Sequence, residues 1–484
     1  MDTILNLPIV LDDNLNTPLY EQLSHSIREA INSGQVAHGT VLDSTRDLSR
    51  KLGISRQTIL KSVDVLQSQG YLTARNGRLM AVAACAPNVP TSDLVDTQPG
   101  MSPPIVVSQF GEQFTHQPDD PETEWDECSF DAGTLPYKQW NRLMFKHVRS
   151  VQNKLDETCV DGLGYWPLRV ELADYLKRSR SVDCDPERVV VFFGTGSALD
   201  LIAKLFIDPG DRVAVENPGF RRFRLLVSAC RGEICPVAVD DHGLSTDQLS
   251  RLAIQPKITC VTPTHHDPLG MPMSVCRRQE LLAWAIKNKG MILEDDMDSQ
   301  FRYTTRPLPS LQGLDPSKNS VVYVSSFDKV LSPLTQLSFA VFPHSLLPLV
   351  ANAKAMLQAS APLIDQMVLA DLIREGHLER HIRRSAVILS HRRNALITAL
   401  TRCFGRKVWI ARESAGTHIF VRLSTGWIDS ALVQAAKSCG LPIQSTREYY
   451  LSDRPPTGQF IISFASLDES KAHLIVEKFA QAIA

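Results

Sequence analysis

Met291-Ile292-Leu293-Glu294-Asp295-Asp296-Met297-Asp298-Ser299-Gln300-Phe301-Arg302-Tyr303, followed by Val321-Val322-Tyr323-Val324-Ser325-Ser326-Phe327-Asp328-Lys329, decides how this chain folds. An apolar approach delivers an acidic cluster, and a β-rich run some thirty residues on ends in a lysine. Two strand ends then present Asp295 and Lys329 at the same edge of a sheet, where open α/β sheets place their ligand sites. A lysine able to form a Schiff base, with an acid to hold a pyridinium nitrogen, is the pairing that pyridoxal phosphate chemistry requires. A surface lysine beside a solvated acidic loop reads the same way in isolation, so the rest of the chain has to decide.

Around that stretch, strand-like runs alternate with helical ones from Trp125 onward: 189–193, 213–215, 258–262, 291–293 and 321–324. Such alternation predicts a mostly parallel sheet covered by helices. Gly194-Thr195-Gly196-Ser197 follows the first of these strands and opens a helix, so its amides can cradle a phosphate. Leu199 stands where a dinucleotide fingerprint needs its third glycine, which weakens a nucleotide-binding alternative. Phe220, after Asn217-Pro218-Gly219, suits stacking on a flat ring and equally suits core packing.

Upstream, residues 18–84 follow a different logic. Leu19, Leu23, Ile27 and Ile31 recur every four residues and mark one face of a first helix, ended by Gly34. Ser44-Thr45-Arg46-Asp47 has the spacing of a helix start, Gly53 makes a turn, and Ser55 caps a third helix with Ile59, Val63 and Leu66 inward. Residues 71–82 read as a hairpin turning at Asn76-Gly77. Two short helices about a glycine turn and then a hairpin describe a winged helix-turn-helix. Residues 1–84 carry eight basic and eight acidic side chains, yet 44–78 carry seven basic against two acidic, net +5. Positive charge thus concentrates on the elements that would face a duplex. Arg56, Gln57 and Thr58 open the third helix, from which side chains reach base edges. A solvated three-helix packing module is the alternative.

Between them, residues 85–124 hold seven prolines and few periodic apolar positions, which predicts a semi-rigid linker. The expected division is therefore a DNA-binding head at 1–84, a linker at 85–124 and a large domain at 125–484. A chain of 484 residues with 43% hydrophobic content accommodates several ordinary globular domains. Its net charge of −2 excludes bulk attraction to nucleic acid, so any such contact is local. Ten scattered cysteines without a CxxC pair argue for reduced thiols. The start shows no signal-peptide pattern and no run approaches a membrane span, so a cytoplasmic protein is expected.

Pro18-Leu19-Tyr20-x-Gln22-Leu23, Ser44-Thr45-Arg46-Asp47-Leu48 and Leu52-Gly53-Ile54-Ser55-Arg56-Gln57-Thr58 resemble the DNA-binding domain of GntR-type regulators. The resemblance implies DNA contact by Arg46 and Arg56, supported by Arg75 and Arg78 on the wing. Asp43 stands where that family usually has proline, and Gly77-Arg78-Leu79 replaces a Gly-x-Gly wing tip. Further on, Gly164-Tyr165-Trp166-Pro167-Leu168-Arg169, Glu216-Asn217-Pro218-Gly219-Phe220, Val261-Thr262-Pro263-Thr264-His265, the 294–303 cluster and Ala415-Gly416-x-His418 resemble the fold-type I aminotransferase domain. The two together are similar to MocR/GabR-type transcriptional regulators over nearly the whole chain. By that resemblance Lys329 carries the Schiff base, Asp295 meets the pyridine nitrogen and Phe220 stacks on the ring. Thr195, Gly196, Ser197 and Ser326 hold the phosphate of pyridoxal 5'-phosphate.

Several positions depart from that family. Met297 stands where a tyrosine usually donates to the ring hydroxyl, and a thioether cannot donate. Gln336 replaces a phosphate-binding arginine, Asp328 replaces a serine beside the lysine, and Ile461 replaces the arginine that binds a substrate carboxylate. One charged hydrogen bond is worth roughly 1.5–3 kcal/mol, so the combined loss is on the order of 4 kcal/mol. That is about a thousandfold in affinity, which an imine to Lys329 partly offsets.

His377 and His381 are spaced for one helix face, but Leu378 sits where a zinc-protease motif needs glutamate, and the stretch is typical of this fold's exterior. His265-His266-Asp267 reads as polar lining of the pocket. The expectation is a homodimeric, DNA-binding regulator whose aminotransferase-like domain senses an amino acid, amine or vitamin B6 vitamer without turnover. The alternatives are an active aminotransferase and a regulator that has lost the cofactor.

Overall fold

The computed structural model describes residues 9, 11–12, 15, 17–33, 35–37, 39–75, 79–82, 107–112, 114, 134–153, 160–296, 299–303, 308–411, 415–452 and 454–484. The chain divides into two compact units, Met1–Val106 and Val107–Ala484.

In the first unit, α1 (Leu19–Asn32), α2 (Thr45–Leu52) and α3 (Arg56–Ser68) surround a core of Leu23, Ile27, Leu48, Ile59, Val63 and Leu66. The four-residue apolar spacing of α1 places Leu23, Ile27 and Ile31 inside. Ser44 and Ser55 cap α2 and α3, accepting from the amides of Asp47 and Thr58 at 3.2 and 3.1 Å. Between these helices Gly53 takes φ 68°, a left-handed turn that favours glycine. The strands β1 (Leu72–Arg75) and β2 (Leu79–Val82) pair antiparallel. The expected Asn76-Gly77 turn, with Arg78, lies outside the described residues, as does Gly34; α1 closes at Ser33.

Eight strands build the sheet of the second unit: β3 (Val189–Phe193), β4 (Arg212–Asn217), β5 (Glu233–Asp240), β6 (Gly243–Leu244), β7 (Ile258–Val261), β8 (Met291–Asp295), β9 (Val321–Ser326) and β10 (Leu337–Val341). Their spatial order is β3-β10-β9-β8-β7-β4-β5-β6. Pairing is parallel throughout β9-β8-β7-β4-β5, while β10 runs antiparallel to both its neighbours and β6 antiparallel to β5. The sheet is therefore mostly parallel, as the alternation of strand and helix predicts. Strands β7 and β9 are buried along their whole length and β8 from Ile292 onward, which explains their near-continuous apolar runs.

Helices cover both faces. On one side α4 (Trp166–Arg180), α7 (Leu363–Arg374) and α8 (His377–Phe404) pack on Val189, Val191, Tyr323 and Phe339. On the other, α5 (Thr195–Phe206) and α6 (Arg221–Ala229) pack on Val190, Phe192, Val322 and Val324. The period-two alternation of each strand divides its side chains between the two cores. A smaller antiparallel sheet, β11 (Val408–Ile410), β12 (His418–Leu423), β13 (Ile443–Ser445) and β14 (Gln459–Ser463), has the order β11-β12-β14-β13. Neither this sheet nor β10 was legible in the spacing of the sequence. Their short runs carry no helix-linked parallel pattern.

Candidate functional site

The site in the large unit grows out of strand register. Asp295 ends β8 opposite Val324 of β9, and β9 continues to Ser326 before a one-turn helix, Asp328–Leu331, carries Lys329. Both Asp295 and Lys329 are buried at this edge. Strand β10 lies between β9 and β3 and aligns Ser326 with Ser338 and Ser338 with Phe192. That register brings the start of α5 beside the lysine turn. Gly194, at φ 75°, bends the chain from β3 into α5 and donates its amide to the Gln336 carbonyl at 2.7 Å. The Thr195 hydroxyl donates to Asp328 Oδ2 at 3.4 Å.

The expected anion cradle is thus assembled from the N-terminus of α5 and the end of β9, with Thr195 and Ser326 buried and Gly196 half-buried. The Ser197 hydroxyl turns back onto the carbonyls of Phe193 and Gly194, at 2.8 Å each. A Cβ at Gly196 would lie 4.0 Å from the Arg222 guanidinium, so a cation faces this cradle from α6. Sequence reading did not single out Arg222; its place two residues after Phe220 was the available signal.

Phe220 stands half-buried at the start of α6. Its loop is held from the C-terminal side: Gly219 donates to Tyr449 O at 3.0 Å and the Leu451 amide to Asn217 Oδ1 at 2.9 Å. Arg224 reaches the carbonyls of Tyr449 and Glu448 at 3.0 and 2.7 Å. Gly219 is obligatory, because a Cβ there would sit 2.3 Å from Glu216 O.

Burial governs the titratable groups. It pushes the Asp328 carboxyl up, against the opposing effects of hydrogen bonds from Ser326 and Thr195 and the charges of Arg222 and Lys329. Asp328 is therefore a weaker source of negative charge than its sequence position implies. Burial likewise raises Glu216 to about 7, although the Thr262 hydroxyl and amide bond it at 2.7 and 2.9 Å. His266, buried beside it, is pushed down to about 3. Asp296 is held below the usual carboxylate range despite its burial, through Arg180, Tyr323 and Ser299.

The positions that depart from the family also find places. Met297 lies outside the described residues. Gln336 is exposed. Ile461 is buried in β14 against Phe420, Tyr449 and Leu269, an apolar setting that fits its side chain. His377 bonds Glu375 at 3.1 Å, while His381 faces inward to the Val330 carbonyl at 2.8 Å. The exterior reading of that stretch therefore fails for His381, which is buried on the inner side of α8. His265 meets the His418 ring edge-on at 5.2 Å, and Gly416, at φ 85°, leaves it room.

In the first unit, Arg46, Arg56 and Gln57 are exposed at the starts of α2 and α3. Thr58 is half-buried and shares a hydrogen bond with Ser55 Oγ at 2.8 Å. Arg75 ends β1. Not all local positive charge is available to a duplex: Lys61 lies over the Tyr20 ring at 5.6 Å, and Arg50 pairs with Asp47 at 3.5 Å.

Two family models match separate parts of the chain. The model for "Aminotransferase class I and II" matches residues 127–479, and that for "Bacterial regulatory proteins, gntR family" matches residues 19–82. An uncharacterized HTH-type transcriptional regulator, YhdI of Bacillus subtilis, is 31% identical over 98% of this chain and 97% of its own. The probable rhizopine catabolism regulatory protein MocR of Rhizobium meliloti is 30% identical over 95% of this chain and 92% of its own. A solved kynurenine aminotransferase of Pyrococcus horikoshii, in complex with PMP, has a TM-score of 0.66 and 23% identity, covering 73% of this chain and 88% of its own. The chain belongs to the MocR-type transcriptional regulators, in which a gntR-family winged helix-turn-helix and an aminotransferase class I and II domain share one polypeptide.

Proposed function

We propose that this regulator senses a small amine or amino acid through pyridoxal phosphate held at the strand edge, and converts that binding into a change in DNA affinity. The observation that carries the reading is the placement of buried Asp295 at the end of β8 and of buried Lys329 in the turn that follows the neighbouring parallel strand β9, near the N-terminus of α5. These residues fit the group. Lys329 offers the amine, Asp295 an acid for the ring nitrogen, Phe220 a stacking face, and Thr195, Gly196, Ser197 and Ser326 the phosphate cradle. When bound, pyridoxal phosphate supplies a carbonyl that exchanges reversibly with amines. Arg222 adds positive charge where Gln336 supplies none, and the raised Asp328 carboxyl tolerates a nearby phosphate by holding its proton more readily.

On this reading the site binds and does not turn over: Ile461 sits in an apolar cluster where substrate-carboxylate recognition would need a cation. The head engages a double-stranded operator through Arg46, Arg56, Gln57 and Thr58, with Arg75 and Arg78 from the wing, and the large unit supports a homodimer in the cytoplasm. Domains at 1–84 and 125–484, joined by the proline-rich 85–124, suit such coupling. A second reading, a regulator without cofactor, draws on Asp328, whose carboxyl already occupies the Thr195 hydroxyl.

The test is the visible absorption of purified protein titrated with pyridoxal phosphate, with Lys329→Ala alongside. A saturable band absent from the variant is the expected result. Equal spectra in the two proteins would leave the cofactor-free reading standing.

A further inference from the structure

A second cavity, of about 650 Å³, opens on the opposite face of the sheet from α5, between α4, the α7–α8 junction and β9. It contains neither the Lys329 turn nor the Thr195 cradle. Its inner wall carries two guanidiniums. Arg180, buried at the end of α4, donates to Asp296 Oδ2 and Oδ1 at 2.8 and 3.0 Å and to Thr264 Oγ1 at 2.6 Å. Its third nitrogen, Nη1, is buried and without a hydrogen-bond partner among the described residues. Arg302 presents Nε and Nη2 in the same condition.

Asp296 is one carboxylate acting on two cations. It already accepts from Arg180 twice, from Ser299 Oγ at 3.0 Å and from the Tyr323 hydroxyl at 2.6 Å, three of these bonds falling on Oδ2. Five arginines and one acidic residue, Glu379, line the cavity, so positive charge exceeds negative at this wall, and burying such charge is costly. Burial, and then the nearness of Arg180, push Arg302 down to about 10, with Asp296 acting in the opposite direction. Guanidiniums of this kind match the oxygens of carboxylate and phosphate groups. At the mouth Arg178 pairs with Glu379 at 3.2 Å and Arg374 with Asp371, while Arg383 adds positive charge. Phe339, Ile373 and Ile382 supply an apolar side. A volume of this size suits a small organic ligand far better than a bare ion.

We propose that this cavity is a second ligand site, separate from the lysine site, which binds a small organic anion. The oxyanion head, carboxylate or phosphate monoester, lies at the Arg302 end of the cavity, and the apolar body rests on Phe339, Ile373 and Ile382.

Calorimetric titration of the full chain with benzoate, phenyl phosphate and inorganic phosphate tests this. At least one of the two organic probes should bind saturably, and a preference of tenfold or more between them identifies the head group. Arg302→Gln should weaken that binding about tenfold or more. Ile382→Trp, which keeps both guanidiniums and fills the apolar side, should abolish it, with unliganded melting curves confirming that each variant is folded. Three results overturn the assignment: no saturable binding of either organic probe, unchanged affinity in both variants, or inorganic phosphate binding as tightly as the organic probes.

Discussion

Gln336 and Glu216 show how single side chains set the working range of the strand-edge site. Gln336 is exposed and contributes its backbone carbonyl to Gly194, so an arginine at this position meets no buried group it would displace. One charge-assisted contact to a phosphate is worth roughly 1.5–3 kcal/mol. Gln336→Arg should therefore tighten pyridoxal phosphate binding by about ten- to a hundredfold. Fluorescence titration reads this directly, and an unchanged affinity would mean that Arg222 already saturates the cradle. Glu216 yields a pH prediction. Its folded pKa, raised by burial from 4.5 to about 7, lies above the unfolded value. The protonated carboxyl thus contributes stability that is fully present below the unfolded pKa and is lost as pH rises through 7. The loss is on the order of 3 kcal/mol. Between about pH 4.5 and pH 8 the urea midpoint of the large unit should fall further in the wild type than in Glu216→Gln, which keeps an acceptor for Thr262. Parallel pH profiles in the two proteins would contradict this origin of the shift.

Helix starts and strand ends carry both functions. In the first unit, Ser44 and Ser55 fix where α2 and α3 begin, and those caps aim exposed Arg46 and Arg56 outward from the first turns. Each arginine that meets a phosphate releases counterions on binding. Arg46→Ala and Arg56→Ala should each weaken binding to a random-sequence duplex and reduce the slope of log affinity against log salt by about 1. Anisotropy titrations over a range of salt would expose an unaltered slope, which would remove that side chain from the interface. These starts were readable because a Ser-x-x-acid cap, a glycine turn and four-residue apolar spacing are local signals. The Asp295–Lys329 edge was readable for a related reason: buried parallel strands are continuous apolar runs that end abruptly in polar residues. The cavity wall beyond it was not. Arg180 and Asp296 lie far apart in sequence, and only the fold brings the end of α4 within 2.8 Å of the residue that follows β8. The antiparallel β10, which sets the distance between cradle and lysine, was equally silent, as a five-residue run with no helix to announce it.

At the scale of the whole chain, regulation requires that ligand and DNA bias one equilibrium. The gntR-family segment and the aminotransferase class I and II segment are covalently joined, and relatives such as YhdI and MocR match along both. Joining alone produces no coupling; a ligand shifts DNA affinity only if it binds two states of the protein unequally. Typical coupling between sites is 1–3 kcal/mol, about five- to 150-fold. Linkage makes the effect symmetrical. If saturating pyridoxal phosphate changes the affinity of the protein for a duplex by some factor, saturating duplex must change the affinity for pyridoxal phosphate by that same factor. The duplex is one selected by the protein from a random pool, and both titrations use the full chain, one read by DNA anisotropy and the other by cofactor absorption. Matching factors of fivefold or more would establish the strand-edge site as the sensor. A factor of one in both directions, with both ligands bound, would separate cofactor binding from DNA recognition and move the sensing role elsewhere in the large unit.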